Sequence, residues 1–363
     1  MKPPIGCAAQ HWGNQSSKSG QTLRQGSIIG KLPRGRNAKL SHFVPGQSGG
    51  DPFKCANTNC FPNWHKGAIT MHRRNFLLAL SALGLSWAPK PKPLKLAFST
   101  LGCPDWSWRT VLQKAVALGY QGIELRGLGP ELDLLKTEVF SPSNLPASLR
   151  QLNDNGLKII NLGSSANLHF HEAGKRREQL DQAKRYIDLA EKLHCPFVRV
   201  FPNNLPSEFA KAATLEKIAT ALVELGKHAQ GSKVKVLLET HGDVVKTDDL
   251  LTIMQAAESK HIGLIWDFFN MYIITRQSPT AMFAALKKYI HHVHLKDGIL
   301  QADGSFKYVF MGAGNVPLAE VVAVLKENRY HGYYSFEWEK RWHPEIASPE
   351  LAFPDFVKYM KQA

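Results

Sequence analysis

The sequence predicts a single-domain α/β fold, a (β/α)8 TIM barrel over residues 94–363, on three observations. Eight short apolar, β-rich runs recur along this stretch, longer amphipathic segments separate them, and four of the later runs end in a polar residue. Strand-like runs alternating with helix-like segments are the pattern of βα units on a parallel sheet, and eight such units close into a barrel more naturally than into an open sheet. In order, the runs are LKLAFST from Leu94, GIELR from Gly122, LKIINLG from Leu157, FVRVF from Phe197, VKVLLET from Val234, IGLIWD from Ile262, HHVHLKD from His291 and GYYSFEWE from Gly332. Their apolar character suits strands covered on both faces. WRTVLQKAVALG follows the first run, REQLDQAKRYIDLAEKL the third, and PLAEVVAVLKEN precedes the last, each with helical periodicity. Length alone decides nothing, since 363 residues hold one large domain or two ordinary ones. The 44% apolar and 21% charged content is that of a soluble globular chain.

The segment before the barrel has a different composition. Residues 1–70 are rich in Gly, Ser, Asn and Lys, show no helical or strand period, and carry nine Lys or Arg against one acid, Asp51. Such a basic leader has too little apolar surface to build a core and is expected to be disordered. Met71 is followed by HRRNFLLALSALGLSWA, with Arg73 and Arg74 ahead of the apolar run Phe76–Leu85, and Ser86 and Ala88 at cleavage spacing. This segment resembles a twin-arginine export signal. The run is too short for a spanning helix, which needs about 20 residues. Export signals act at a chain's N-terminus, so Met71 is the expected translation start and residues 1–70 an over-extended reading frame. Residues 71–93 are then signal and PKPKP linker, the export machinery is a transient partner, and the expected location is the periplasm.

Charge and cysteine content narrow the functional classes. Of the formal net charge of +15, residues 94–363 contribute only +3, so the predicted barrel offers no evident basic surface for a nucleic acid. Three of the five cysteines, Cys7, Cys55 and Cys60, precede the barrel, leaving Cys103 and Cys195 within it. No disulfide framework follows, and no second Cys or His pair completes a zinc pattern with Cys55 and Cys60.

A barrel of this type presents its chemistry at the C-terminal ends of its strands. Glu239 closes VLLET, Asp267 closes GLIWD, His294 lies in HHVHLKD and Glu337 in YYSFEWE. The spacings are 28, 27 and 43 residues, the first two about one βα unit, so these side chains converge on one rim. Three carboxylates alone would repel one another, whereas a divalent cation removes that penalty. Three oxygen donors and one imidazole favour Mn²⁺, Mg²⁺ or Co²⁺, with Zn²⁺ also compatible. For any one of the four, a salt-bridged strand end is an equal alternative; the joint pattern favours a metal.

Residues 94–363 resemble the xylose-isomerase-like TIM barrels, the superfamily of sugar phosphate isomerases and epimerases, ketose 3-epimerases and endonuclease IV. The motifs that carry the resemblance are FSTLGCPDW, GYQGIELR, LLETHGD, GLIWDFFN, VHLKD, the MGAGNVPL loop and FEWEKRWHPE. The resemblance implies one divalent metal on Glu239, Asp267, His294 and Glu337. It also implies proton transfer by Glu239 and Glu337 through an enediolate, and a small-molecule sugar or sugar derivative as partner. Glu124, Arg126, His241, Lys296, Arg341 and His343 are candidates for orienting substrate hydroxyls, each equally readable as a structural contact. Trp106, Trp338 and Trp342 could stack on a sugar ring or simply belong to the core or rim. Asn270 stands where many epimerases and endonuclease IV carry His, and no His follows Asp297, so the trinuclear zinc cluster of endonuclease IV cannot assemble in the same way. The expected activity is a metal-dependent sugar or keto-sugar isomerase or epimerase. The alternatives are a lyase or hydrolase acting on a keto-glycoside, and a non-catalytic sugar-binding barrel.

Overall fold

The computed structural model describes residues 93–363; the basic leader, the twin-arginine segment and its cleavage site lie outside the described residues. Eight parallel strands form the closed barrel: β1 (Lys95–Ser99), β2 (Gly122–Leu125), β3 (Lys158–Asn167), β4 (Phe197–Phe201), β5 (Lys235–Glu239), β6 (Ile262–Asp267), β7 (Ile290–Leu295) and β10 (Tyr333–Phe336). They run round the barrel in chain order, and β1 pairs with β10 through Leu96 against Tyr334 and Phe98 against Phe336 to complete the circle. All eight expected runs are strands. An antiparallel hairpin, β8 (Asp297–Leu300) and β9 (Phe306–Val309), stands apart from the barrel sheet and was not anticipated.

Helices α1 (Trp108–Leu118), α2 (Leu145–Asp154), α3 (Ala173–Lys192), α4 (Lys211–His228), α5 (Thr247–Ala256), α6 (Phe268–Thr275), α7 (Pro279–Leu286), α8 (Leu318–Glu327) and α9 (Pro349–Gln362) follow along the chain. Local sequence explains several of their starts. Ser107 and Ser278 accept the N–H groups of Thr110 and Ala281, capping α1 and α7, and Pro279 suits the first turn of α7.

The layers follow from strand periodicity. Val293 and Leu295 of β7 alternate with His292 and His294, and Tyr334 and Phe336 of β10 alternate with Ser335 and Glu337, so one series faces the helices and the other the barrel interior. Trp266 packs its ring on Phe283 of α7, 5.4 Å away, and Phe336 stacks on Phe356 of α9 at 4.8 Å. Burying each such aromatic contributes about 3 kcal/mol at most, and truncating one in a close-packed layer costs about 3–5 kcal/mol. The interior series is polar towards the C-terminal mouth: Ser99, Glu124, Asn161, Arg199, Glu239, Asp267, His292, His294, Ser335 and Glu337 are all buried. The strands are therefore less uniformly apolar than the sequence suggested. A barrel interior stocked this way must satisfy its charges internally.

Candidate metal centre

Glu239, Asp267, His294 and Glu337 lie at the ends of β5, β6 and β7 and just past β10, and each offers one donor atom within 4.8 Å of the others. His294 Nδ1 is the hub, 3.2 Å from Glu337 Oε2 and 3.7 Å from both Glu239 Oε1 and Asp267 Oδ2. It is buried and makes no hydrogen bond. Its opposite nitrogen is occupied, since Nε2 donates to the Glu124 carboxylate at 3.1 Å. Metal binding requires the imidazole neutral with its proton on Nε2, which would leave a lone pair on Nδ1 aimed at three carboxylate oxygens, a ligand set for a divalent cation. Without the ion, burial works against charge on the ring, but the Glu124 and Glu337 carboxylates overcome it and raise the imidazole well above its ordinary value, so the cation would displace a proton. The residues present fit the metal that the strand-end pattern predicts.

Asp267 also caps α6, and that capping orients it: Oδ1 accepts the Asn270 N–H at 3.0 Å, while Oδ2 faces the cluster. Asn270 turns its side-chain amide to the Thr240 carbonyl at 3.3 Å. Two cations brace the carboxylates. Arg199 donates to Glu239 Oε2 at 2.9 Å and lies 3.9 Å from Glu337 Oε1, while Lys296 Nζ is 2.7 Å from both Asp267 Oδ2 and Glu337 Oε2 and 2.8 Å from Glu339 Oε1.

These contacts set the protonation states. Burial would raise the Glu337 carboxyl, but His294 and Lys296 hold it well below the usual carboxylate range; Arg199 similarly overcomes burial at Glu239. Asp267 goes the other way, pushed up by burial despite Lys296. Burial works against charge on Lys296, yet Asp267 and Glu337 raise it well above its ordinary value. Both candidate bases are thus carboxylates at neutral pH.

The other expected site residues divide. Glu124 is fully buried behind His294, bonded to His292 Nε2 at 2.9 Å and Ser335 Oγ at 3.2 Å, so its carboxylate is directed at the imidazoles rather than at a substrate. Glu124, His292 and His294 form a second cluster of metal-ligand types. Their donors already meet at hydrogen-bond length, which makes this the support behind the first cluster. Lys296 is buried among carboxylates, and Arg126 is buried beside Arg199. His241 bonds Asn203 Oδ1 at 2.8 Å, Arg341 donates to the Gly129 carbonyl, and His343 pairs with Glu345 at 3.2 Å. Trp106 and Trp338 are core residues, their indole N–H groups donating to Glu350 and to the Ala347 carbonyl, both at 2.9 Å. Sequence reasoning missed Arg199, His292, Glu339 and Tyr308. Only the first two carried a signal: an arginine inside the five-residue run FVRVF, and the alternate spacing of HHVH.

Comparison with known proteins agrees with this architecture. The profile of the xylose isomerase-like TIM barrel family matches residues 112–362. Fructoselysine 3-epimerase of Shigella flexneri is 24% identical over 67% of this chain and 90% of its own length. Inosose isomerase of Halalkalibacterium halodurans is 23% identical over 64% and 83%. Among solved structures, the IOLI protein with a bound zinc atom superposes with a TM-score of 0.60 at 19% identity, covering 74% of this chain and 96% of that one.

Proposed function

The chain belongs to the xylose isomerase-like TIM barrel family, and on that premise we propose that it is a divalent-metal-dependent isomerase or epimerase of a sugar or keto-sugar. The observation that carries this reading is the buried Nδ1 of His294, which has no hydrogen-bond partner and faces three carboxylates within 3.7 Å. Relatives named for sugar epimerisation and inosose isomerisation support the reaction class. An ion held by Glu239, Asp267, His294 and Glu337 would stabilise negative charge developing on substrate oxygens as a neighbouring C–H proton leaves.

The chain's own residues supply the rest. Glu239 and Glu337 reach the centre from β5 and from the end of β10, with β6 and β7 between them, so they approach a substrate from different strands. Arg199 and Lys296 keep both ionised, and one removes the proton while the other returns it. Asn270 fixes Asp267 through its backbone N–H, a bond that does not depend on the side chain at that position.

Incubating the Mn²⁺-loaded protein with a panel of sugars and keto-glycosides in deuterated water tests this. Incorporation of deuterium at a substrate carbon is the expected result. Release of an aglycone would reassign the chain as a lyase or hydrolase, and binding without exchange would make it a sugar-binding barrel.

We propose in addition that the protein is exported by the twin-arginine route and begins, when mature, near Pro89. Arg73→Lys with Arg74→Lys should then retain it in the cytoplasm; an intact residue 1 in the secreted fraction would rule the route out.

A further inference from the structure

Arg126, just beyond β2, is 7% exposed, and its Nη1 is buried without a hydrogen-bond partner. The carboxylate that acts on it, Glu239, is already bonded to Arg199 at 2.9 Å. The Tyr186 hydroxyl, which also acts on it, is engaged with the Leu134 N–H and Asp133. Its neighbours add repulsion, since Arg199 and Arg341 are both cations and act on it as such. The stem runs across β3 at Gly163, where an added Cβ would come within 2.8 Å of Arg126 Cδ and 3.2 Å of Arg199 Nη2. Gly163 thus admits two guanidinium side chains side by side. Arg341 has a buried Nε without a partner, and its Nη2 reaches the Gly129 carbonyl in the loop after β2.

A guanidinium stays charged when buried, and a buried charge lacking a counter-ion is costly. Every other buried cation at this mouth has its carboxylate: Arg199 has Glu239, and Lys296 has Asp267, Glu337 and Glu339. We propose that Arg126 is a substrate-recognition residue whose missing counter-ion is a carboxylate on the substrate, so that the sugar handled here is a sugar acid. This rests on the reading of the barrel as a sugar enzyme and deepens it. A single planar guanidinium suits a planar monoanion held by two parallel N–H bonds. Arg341, which acts on Arg126 as a cation, supplies a second positive charge near that anion.

The test uses the Mn²⁺-loaded protein and calorimetric titration with D-glucuronate, D-galacturonate and D-mannuronate, each beside its neutral parent sugar and its parent's 6-phosphate. At least one uronate is expected to bind about tenfold or more tightly than its parent. Arg126→Gln should abolish that preference while leaving Mn²⁺ affinity unchanged. Because the guanidinium lacks a partner in the free protein, Arg126→Gln should also melt within about 2 °C of the parent or above it. Four results overturn the proposal: no acid preference anywhere in the panel, preference for the phosphates, a preference that survives Arg126→Gln, or a loss of more than about 5 °C in the variant, which would mark Arg126 as structural. Deuterium exchange in the same samples separates the two readings. Exchange on neutral sugars without acid preference sinks the carboxylate and keeps the enzyme; Arg126-dependent uronate binding without exchange does the reverse.

Discussion

Both carboxylate oxygens of Glu124 lie 3.1 Å from Nε2 of His294, so this buried pair fixes which face of the imidazole is left open to the barrel mouth. Removing such a partner frees the ring to rotate and to change tautomer, at a typical cost of 10–100-fold in metal affinity. Glu124→Ala should lower Mn²⁺ affinity by about that range, with Glu124→Gln closer to wild type because an amide oxygen can still accept the Nε2–H. Titration calorimetry reads both. Equal losses in the two variants would mean that charge, rather than orientation, is what Glu124 contributes.

Glu337→Gln separates ligand from base. The amide keeps the side chain's size and one oxygen for Lys296, which lies 2.7 Å away, but removes the basicity. Metal-saturated Glu337→Gln should lose about 10²–10⁴-fold in C–H exchange, the usual range for a general base. Bracing of Arg341 gives no competing account, because Arg341 bonds the Gly129 carbonyl instead. Wild-type exchange in the loaded variant would remove Glu337 from the mechanism.

The barrel and its four strand-end donors were legible because each depends on local pattern. A period of two places a run's last polar residue on the interior, and βα spacing then brings the ends together. Arg199 was harder to read, since a charge inside FVRVF becomes interpretable only once β4 is known to lie beside β5, with Val198 opposite Val236. Glu124, inside β2, is equally readable from the sequence as a substrate contact or a structural one. Its true neighbours, His292, His294 and Ser335, are 168 or more residues away in sequence, and only barrel closure brings them together. The hairpin of β8 and β9 escaped notice because Gly298 and the short exposed run Gln301–Ser305 interrupt any strand-like period.

His291 makes stability sensitive to mild acid. Burial, with Lys235 nearby, pushes its imidazole down to about 4. The unfolded chain takes up this proton near the ordinary value of about 6.5, whereas the folded chain resists until about pH 4. The contribution is therefore complete above the unfolded value and lost as pH falls through that window. The melting temperature should decline between those limits, and His291→Asn, which cannot titrate, should flatten the decline. Calorimetric scans at several pH values would show the same slope in both proteins if another group is responsible.

Gly314 is the residue on which the wrapping of the MGAGNVPL loop depends. Asp297 accepts N–H groups from Gly298 at 2.8 Å, Gly312 at 2.7 Å and Gly314 at 3.1 Å, and Asn315 exchanges side-chain bonds with the Leu300 backbone at 2.8 and 2.9 Å. The loop thus clamps the β8–β9 hairpin, which carries Tyr308. That hydroxyl donates to Glu339 at 2.9 Å, and Glu339 in turn receives Lys296, the cation bracing Glu337. A Cβ on Gly314 would collide with the Asp297 carboxylate and sit 2.5 Å from the Gly298 carbonyl oxygen, both held by their own bonds. Gly314 is not among the described residues with positive φ, so the cost of Gly314→Ala is steric and not conformational. Gly314→Ala should destabilise by about 2 kcal/mol or more, lowering Tm by roughly 4 °C or more in a domain of this size. Loosening the hairpin should also reduce turnover more than Mn²⁺ affinity, since none of the four ligands lies in it. An unchanged melting curve would show that the loop can yield, and an equal loss of metal binding would show that the disturbance reaches the ligands themselves.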